Sequence, residues 1–147
     1  MKPDVKEPTG KLLLRTLAMP ADTNPNGDIF GGWIMSQMDI AGGIHAEEVC
    51  CARTVTVAVE SIVFIRPVQV GDVVCIYGKV EHVGTTSTRI NLEVWVKKQV
   101  QSGVSLANQK QLVTKAAFTY VAVDASGKKQ PIDKTTSCHK ETMGLNA

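Results

Sequence analysis

One carboxylate stands alone in the most apolar stretch of this chain. Between Gly31 and Ala46 the one formally charged residue is Asp39, set between Met38 and Ile40 in a run of glycine, alanine, methionine and isoleucine. An ionised carboxylate left uncompensated in such surroundings is expensive. Two readings stand. Either Asp39 turns to solvent or pairs with a cation such as Arg53, the ordinary fate of an acid, or it faces a cleft, where a carboxylate activates water or attacks an electrophile. Gly31 and Gly32 favour the second, because they would open the helix that carries Asp39. Bare amides at a helix start, with the positive end of its dipole, suit a developing oxyanion. Asn24 lies in the turn just ahead; it either satisfies that turn, as loop asparagines do, or positions water or substrate.

The other chemistry-bearing residues have plainer readings. Asn26 beside Gly27 is turn chemistry, and His45 near the helix C-terminus suits a capping or core role. His82 and His139 receive no role, and Met19, Met35 and Met38 read as core filler. Glu47 and Glu48 sit unfavourably at the negative end of the helix, with no functional account. The chain has no G-x-S-x-G, Walker A, G-x-G-x-x-G or H-E-x-x-H motif. Cys50, Cys51, Cys75 and Cys138 form no C-x-x-C pair and lie at no zinc spacing, so they are expected to be reduced thiols without a metal.

The elements that must position these groups follow from period and punctuation. Residues 1–10, with two prolines and a glycine, read as a loose arm, and Leu12–Leu17 as a strand or a short helix, with strand the favoured reading. Asn24-Pro25 and Asn26-Gly27 mark a tight polar loop. From Gly31 to Val49 a helix about 28 Å long is predicted, apolar on more than one side and therefore expected inside the molecule. Strands are then predicted at Thr54–Arg66, Val73–Val83, Ser87–Val100 and Gln111–Val123. In the third of these, Ile90, Leu92, Val94 and Val96 alternate with Arg89, Asn91, Glu93, Trp95 and Lys97, so the second set is expected on a partly wet face. The core domain is thus 11–124, and 125–147 reads as a polar, flexible tail. One long helix and one antiparallel sheet define an α+β fold, with the sheet covering the helix.

Composition narrows the function classes. The 147 residues carry 16 Lys and Arg against 14 Asp and Glu, a formal charge of +2. That is too mild for a broad nucleic-acid footprint, so any anion must be met locally. No apolar run approaches the ~18 residues of a membrane span, and the N-terminus lacks a signal-peptide core. A cytoplasmic protein is expected.

Three stretches resemble the acyl-CoA thioesterases of the hotdog fold, and within them the short bacterial YciA type. They are Leu14-Arg15-Thr16-Leu17-Ala18-Met19-Pro20 with Asp22-Thr23-Asn24, Asn26 through Met35 and Gln37-Met38-Asp39; Val55 through Ser61 with Pro67 through Val74; and Glu93 through Lys98. The resemblance covers Leu13 to about Val123. It implies a five-stranded antiparallel sheet wrapped round the long helix, dimers with a continuous sheet, and hexamers as trimers of dimers. It also implies hydrolysis of acyl-CoA to a free acid and coenzyme A with no separate cofactor. Asp39 would act as general base or nucleophile, Asn24 would serve the site from the partner protomer, and amides at Gly31 and Gly32 would polarise the thioester carbonyl. Coenzyme A would cross the protomer boundary, with Thr86, Ser87 and Lys97 as candidate phosphate contacts. Two other functions stay open. A hotdog dehydratase or hydratase usually needs a His near the helix start, and none precedes Asp39. A non-catalytic acyl-CoA sensor would bind without turnover, and the chain carries no DNA-binding appendage.

Overall fold

A computed structural model describes residues 7–98 and 110–145. Strand β1 (Lys11–Leu17) leads through a single 3-10 turn, Pro20–Asp22, to helix α1 (Gly31–Cys50). Strands β2 (Arg53–Phe64), β3 (Val73–Val83), β4 (Ser87–Lys97) and β5 (Lys110–Val123) follow, then a short helix α2 (Ser137–Thr142). The strands form one sheet in the order β1-β3-β4-β5-β2, every pairing antiparallel. The sheet curves round α1 as expected. Alternation is what makes this work: Ile90, Leu92, Val94 and Val96 of β4 point inward and are fully buried against Ile34, Met38, Ala41 and Ala46 of the helix. Burial of each large apolar side chain contributes about 1.5–3 kcal/mol.

Only one side of α1 is covered, so the helix is less enclosed than its composition implied. Ile40 and Ile44, one turn apart, remain 50% exposed. Edge strand β2 exposes Val55, Val57 and Val59 and, among the described residues, pairs with β5 alone. A 12-residue edge without Lys or Pro is a ready template for another strand.

Two features differ from the sequence reading on the outer face and in the tail. Trp95 is not partly wet; it is 1% exposed and packs with Cys75 and Tyr77 in a second cluster, its indole Nε1 donating to Glu93 Oε1. Residues 125–145 are not a loose tail. Ile132 is buried against Cys50 and Ala122, its amide donates to Thr85 O, and α2 packs on the end of α1. His139, buried, sits 2.6 Å through Nδ1 from Val49 O, and Thr142 Oγ1 donates to Glu48 O. Two carbonyls of the last helical turn are thereby satisfied. Cys51, the left-handed cap of α1, and Cys138 in α2 form a disulfide across a Cα–Cα distance of 6.1 Å, so these two are not the reduced thiols expected. Cys50 and Cys75 are free and buried, and burial pushes the Cys50 thiol up to about 11, an inert group. The first six residues of the expected N-terminal arm and the polar stretch after β4 lie outside the described residues. Among the described residues no helix is long and apolar enough to cross a membrane.

Candidate active site

Asp39 is half-buried two turns into α1, on the border between the covered and bare sides of the helix. It has no cation partner among the described residues. Two hydroxyls meet it instead. Thr56 Oγ1 of β2 donates to Asp39 Oδ1 at 2.6 Å. Tyr120 OH of β5 lies 3.3 Å from the same oxygen and 3.2 Å from the Asp39 backbone carbonyl. Oδ2 receives no hydrogen bond among the described residues. Asp39, Thr56 and Tyr120 line an open cavity of about 280 Å³ with Ile40, Gly43 and Ile44. A second, mostly apolar recess of about 210 Å³ runs from Asp39 and Thr56 past Met35, Val59 and Phe118. The carboxylate therefore stands between a polar opening and an apolar slot.

The loop before α1 builds a different cavity. Asn24 Oδ1 accepts from the amides of Asn26 and Asp28 at 2.9 and 3.1 Å, so its oxygen is occupied by the turn. Its Nδ2 takes no acceptor among the described residues. Asn24 lines a cavity of about 320 Å³ with Asp28, Gly31, Phe64 and Arg66, whose Nη1 donates to Leu112 O. Phe30 precedes α1 without a side-chain cap, and among the described residues the Gly31 and Gly32 amides find no acceptor. A Cβ placed on Gly32 would meet nothing within 4 Å, so this front is open to approach from outside the protomer.

The two cavities do not merge within one chain. At ~1.5 Å per residue, Asp39 lies about 12 Å along the axis from Gly31, while oxyanion donors must stand about 3 Å from the reacting oxygen. Nor do the expected phosphate contacts converge. Thr86 and Ser87 sit at the start of β4 and Lys97 at its end, about 33 Å away along an extended strand. Lys97 pairs with Val73, beside the turn whose Gln69 bridges to Asp28, and so shares the Asn24 end of the molecule.

Thr56 and Tyr120 were invisible to sequence reasoning. Both strands were legible, but not that their register places Thr56 opposite Tyr120 beneath Asp39. His45 is buried and, among the described residues, its Nδ1 has no hydrogen-bond partner; Glu48 Oε1 is 3.8 Å away, too far for a hydrogen bond. Burial, and then the charge of Lys11, push His45 below its usual range.

One long helix wrapped by a five-stranded antiparallel sheet is the hotdog fold, and here the helix carries a half-buried acid. The thioesterase superfamily profile matches residues 26–102. The chain is 60% identical over 121 residues to the acyl-CoA thioester hydrolase YciA of Escherichia coli K12, covering 82% of this chain and 89% of that protein. A hexameric broad-specificity acyl-coenzyme A thioesterase of known structure superposes with a TM-score of 0.83 at 51% identity, covering 95% of this chain and 93% of the other. The hexameric hotdog-fold thioesterase of Campylobacter jejuni gives 0.79 at 42%, covering 92% and 96%. The chain belongs to the thioesterase superfamily.

Proposed function

We propose that this protein hydrolyses acyl-CoA thioesters, releasing a carboxylic acid and coenzyme A, at sites shared between two protomers. The observation that carries the reading is the carboxylate of Asp39, which has hydroxyl donors on one oxygen and no cation among the described residues, at the mouth of an apolar slot. The activities of the relatives support the substrate class. The acyl chain lies along Met35, Val59 and Phe118, and the thioester carbon sits near Asp39.

The shared site follows from distance. A protomer's helix start is too far from its own Asp39 to hold the same carbonyl, and the bare stripe of Ile40 and Ile44 with the open edge of β2 fits a second copy. In that pair, Asn24 and the Gly31 and Gly32 amides of one protomer face Asp39 of the other. The relatives' hexamers support assembly of three such dimers.

In the reaction, Asp39 removes a proton from water as the oxygen attacks the thioester carbon, and the helix-start amides stabilise the oxyanion. Collapse expels the coenzyme A thiolate, and the proton held by Asp39 is returned to it. The alternative is direct attack by Asp39 to give a mixed anhydride, which water then cleaves. Heavy oxygen from labelled water appears in the Asp39 side chain only by that second route. For coenzyme A, Lys97 at the Asn24 end and the Thr86–Ser87 turn act as separate contacts rather than one phosphate cradle. The cytoplasm is the proposed compartment.

The test is thiol release from acyl-CoAs of short, medium and long chains, followed with a thiol reagent. Release supports hydrolysis. Tight binding without release indicates a sensor, and consumption of an enoyl-CoA without thiol release indicates a hydratase.

A further inference from the structure

We infer that Tyr120 is a positioning residue for this reaction: its hydroxyl holds Asp39 Oδ1 and leaves Oδ2 as the reacting oxygen. The inference rests on the hydrolase reading above and assigns a part of it that no relative's activity specifies.

Tyr120 is 1% exposed at the centre of the fold, and a buried phenol needs a partner for its hydroxyl. That partner is Asp39, whose backbone carbonyl and Oδ1 share the one hydroxyl proton. Thr56 stands directly opposite Tyr120 in the β2–β5 register, and its hydroxyl reaches the same Oδ1. Two adjacent strands thus present a pair of hydroxyls to one carboxylate oxygen, and the carboxylate plane is fixed from below. The helix is shaped to permit this. Gly42 lies over the Tyr120 ring, and a Cβ there would collide with the phenol oxygen, so a side chain at this position would push the hydroxyl off Asp39. Burial, and next the charge of Asp39, hold the phenol far above its ordinary range, so it stays protonated and has a proton to donate to the Asp39 oxygens. Tyr120 is also among the residues that line the cavity beside Asp39 and Thr56.

Tyr120→Phe removes the hydroxyl and keeps the ring stacked on Phe118. In the full chain, kcat should fall about tenfold, the loss expected for one long hydrogen bond to an ionised group, with KM within about twofold. Thr56→Val should act in the same direction, and the two losses should be non-additive because both donors serve one oxygen. An unchanged kcat, or a loss carried in KM alone, would show that Tyr120 only packs, as would strictly additive losses. Controls separate this from the wider reading: if wild type releases no thiol, or Asp39→Asn matches wild type, both fall together. If those controls hold and Tyr120→Phe is silent, this inference alone falls.

Discussion

Two inactive variants should restore each other if the site is built from two protomers. Asp39→Asn deletes the carboxylate from one half. Asn24→Asp keeps the acceptor that the Asn26 and Asp28 amides use and deletes the free Nδ2 donor from the other half. Each alone should lose about 10²-fold or more, the scale for a general base or an oxyanion donor. When equal amounts are mixed and allowed to exchange subunits, half of the dimers are mixed. Each mixed dimer has one site carrying both lesions and one carrying neither, so about a quarter of all sites are intact in a two-fold assembly. Grouping dimers into hexamers leaves that fraction unchanged. Thiol release from the mixture should therefore rise from near zero to about a quarter of the wild-type rate, measured at equal total protein after exchange is verified by mass. No recovery despite exchange would refute the reasoning, because a site lying within one chain yields no intact copy in any mixture.

Two further outcomes follow from groups outside the site. His45 is buried and depressed, so the unfolded chain binds a proton that the folded one resists; stability is full above the unfolded value near 6.5 and is lost as pH falls below it. Melting temperatures from pH 8 down to 5 should drop more for wild type than for His45→Gln, and equal slopes would remove His45 as the cause. The Cys51–Cys138 bond predicts two reactive thiols per chain when protein kept from reductant is denatured, and four after reduction. Closing so long a loop typically stabilises by about 2–4 kcal/mol, so reductant should lower the melting temperature; four thiols at the outset would exclude the bond.

What the sequence disclosed was local. Strand β3 occupies Val73–Val83 as read, α1 opens at the Gly31-Gly32 pair, and the inward set of β4 is buried, because period and glycine punctuation are properties of neighbouring residues. What it hid depends on contacts between distant segments. Trp95 obeys the strand's alternation yet is buried, since a second cluster covers that face. The polar tail orders because a few residues, Ile132, His139 and Cys138, each find a partner near the end of α1. For the site, Asp39 stood out as a charge without company, but its company, Thr56 and Tyr120, lies 17 and 81 residues away and is fixed by sheet register. Thr86, Ser87 and Lys97 share a chemistry suited to phosphate, and an extended strand holds them apart.

The decisive measurement is turnover of an acyl-CoA by Asp39→Asn in assembled protein of wild-type size. The substituted amide keeps an oxygen for Thr56 and Tyr120 but can neither accept a proton from water nor attack the carbonyl. Thiol release should fall about 10²-fold or more with acyl-CoA binding retained. Turnover close to wild type would mean that Asp39 is not the reacting group.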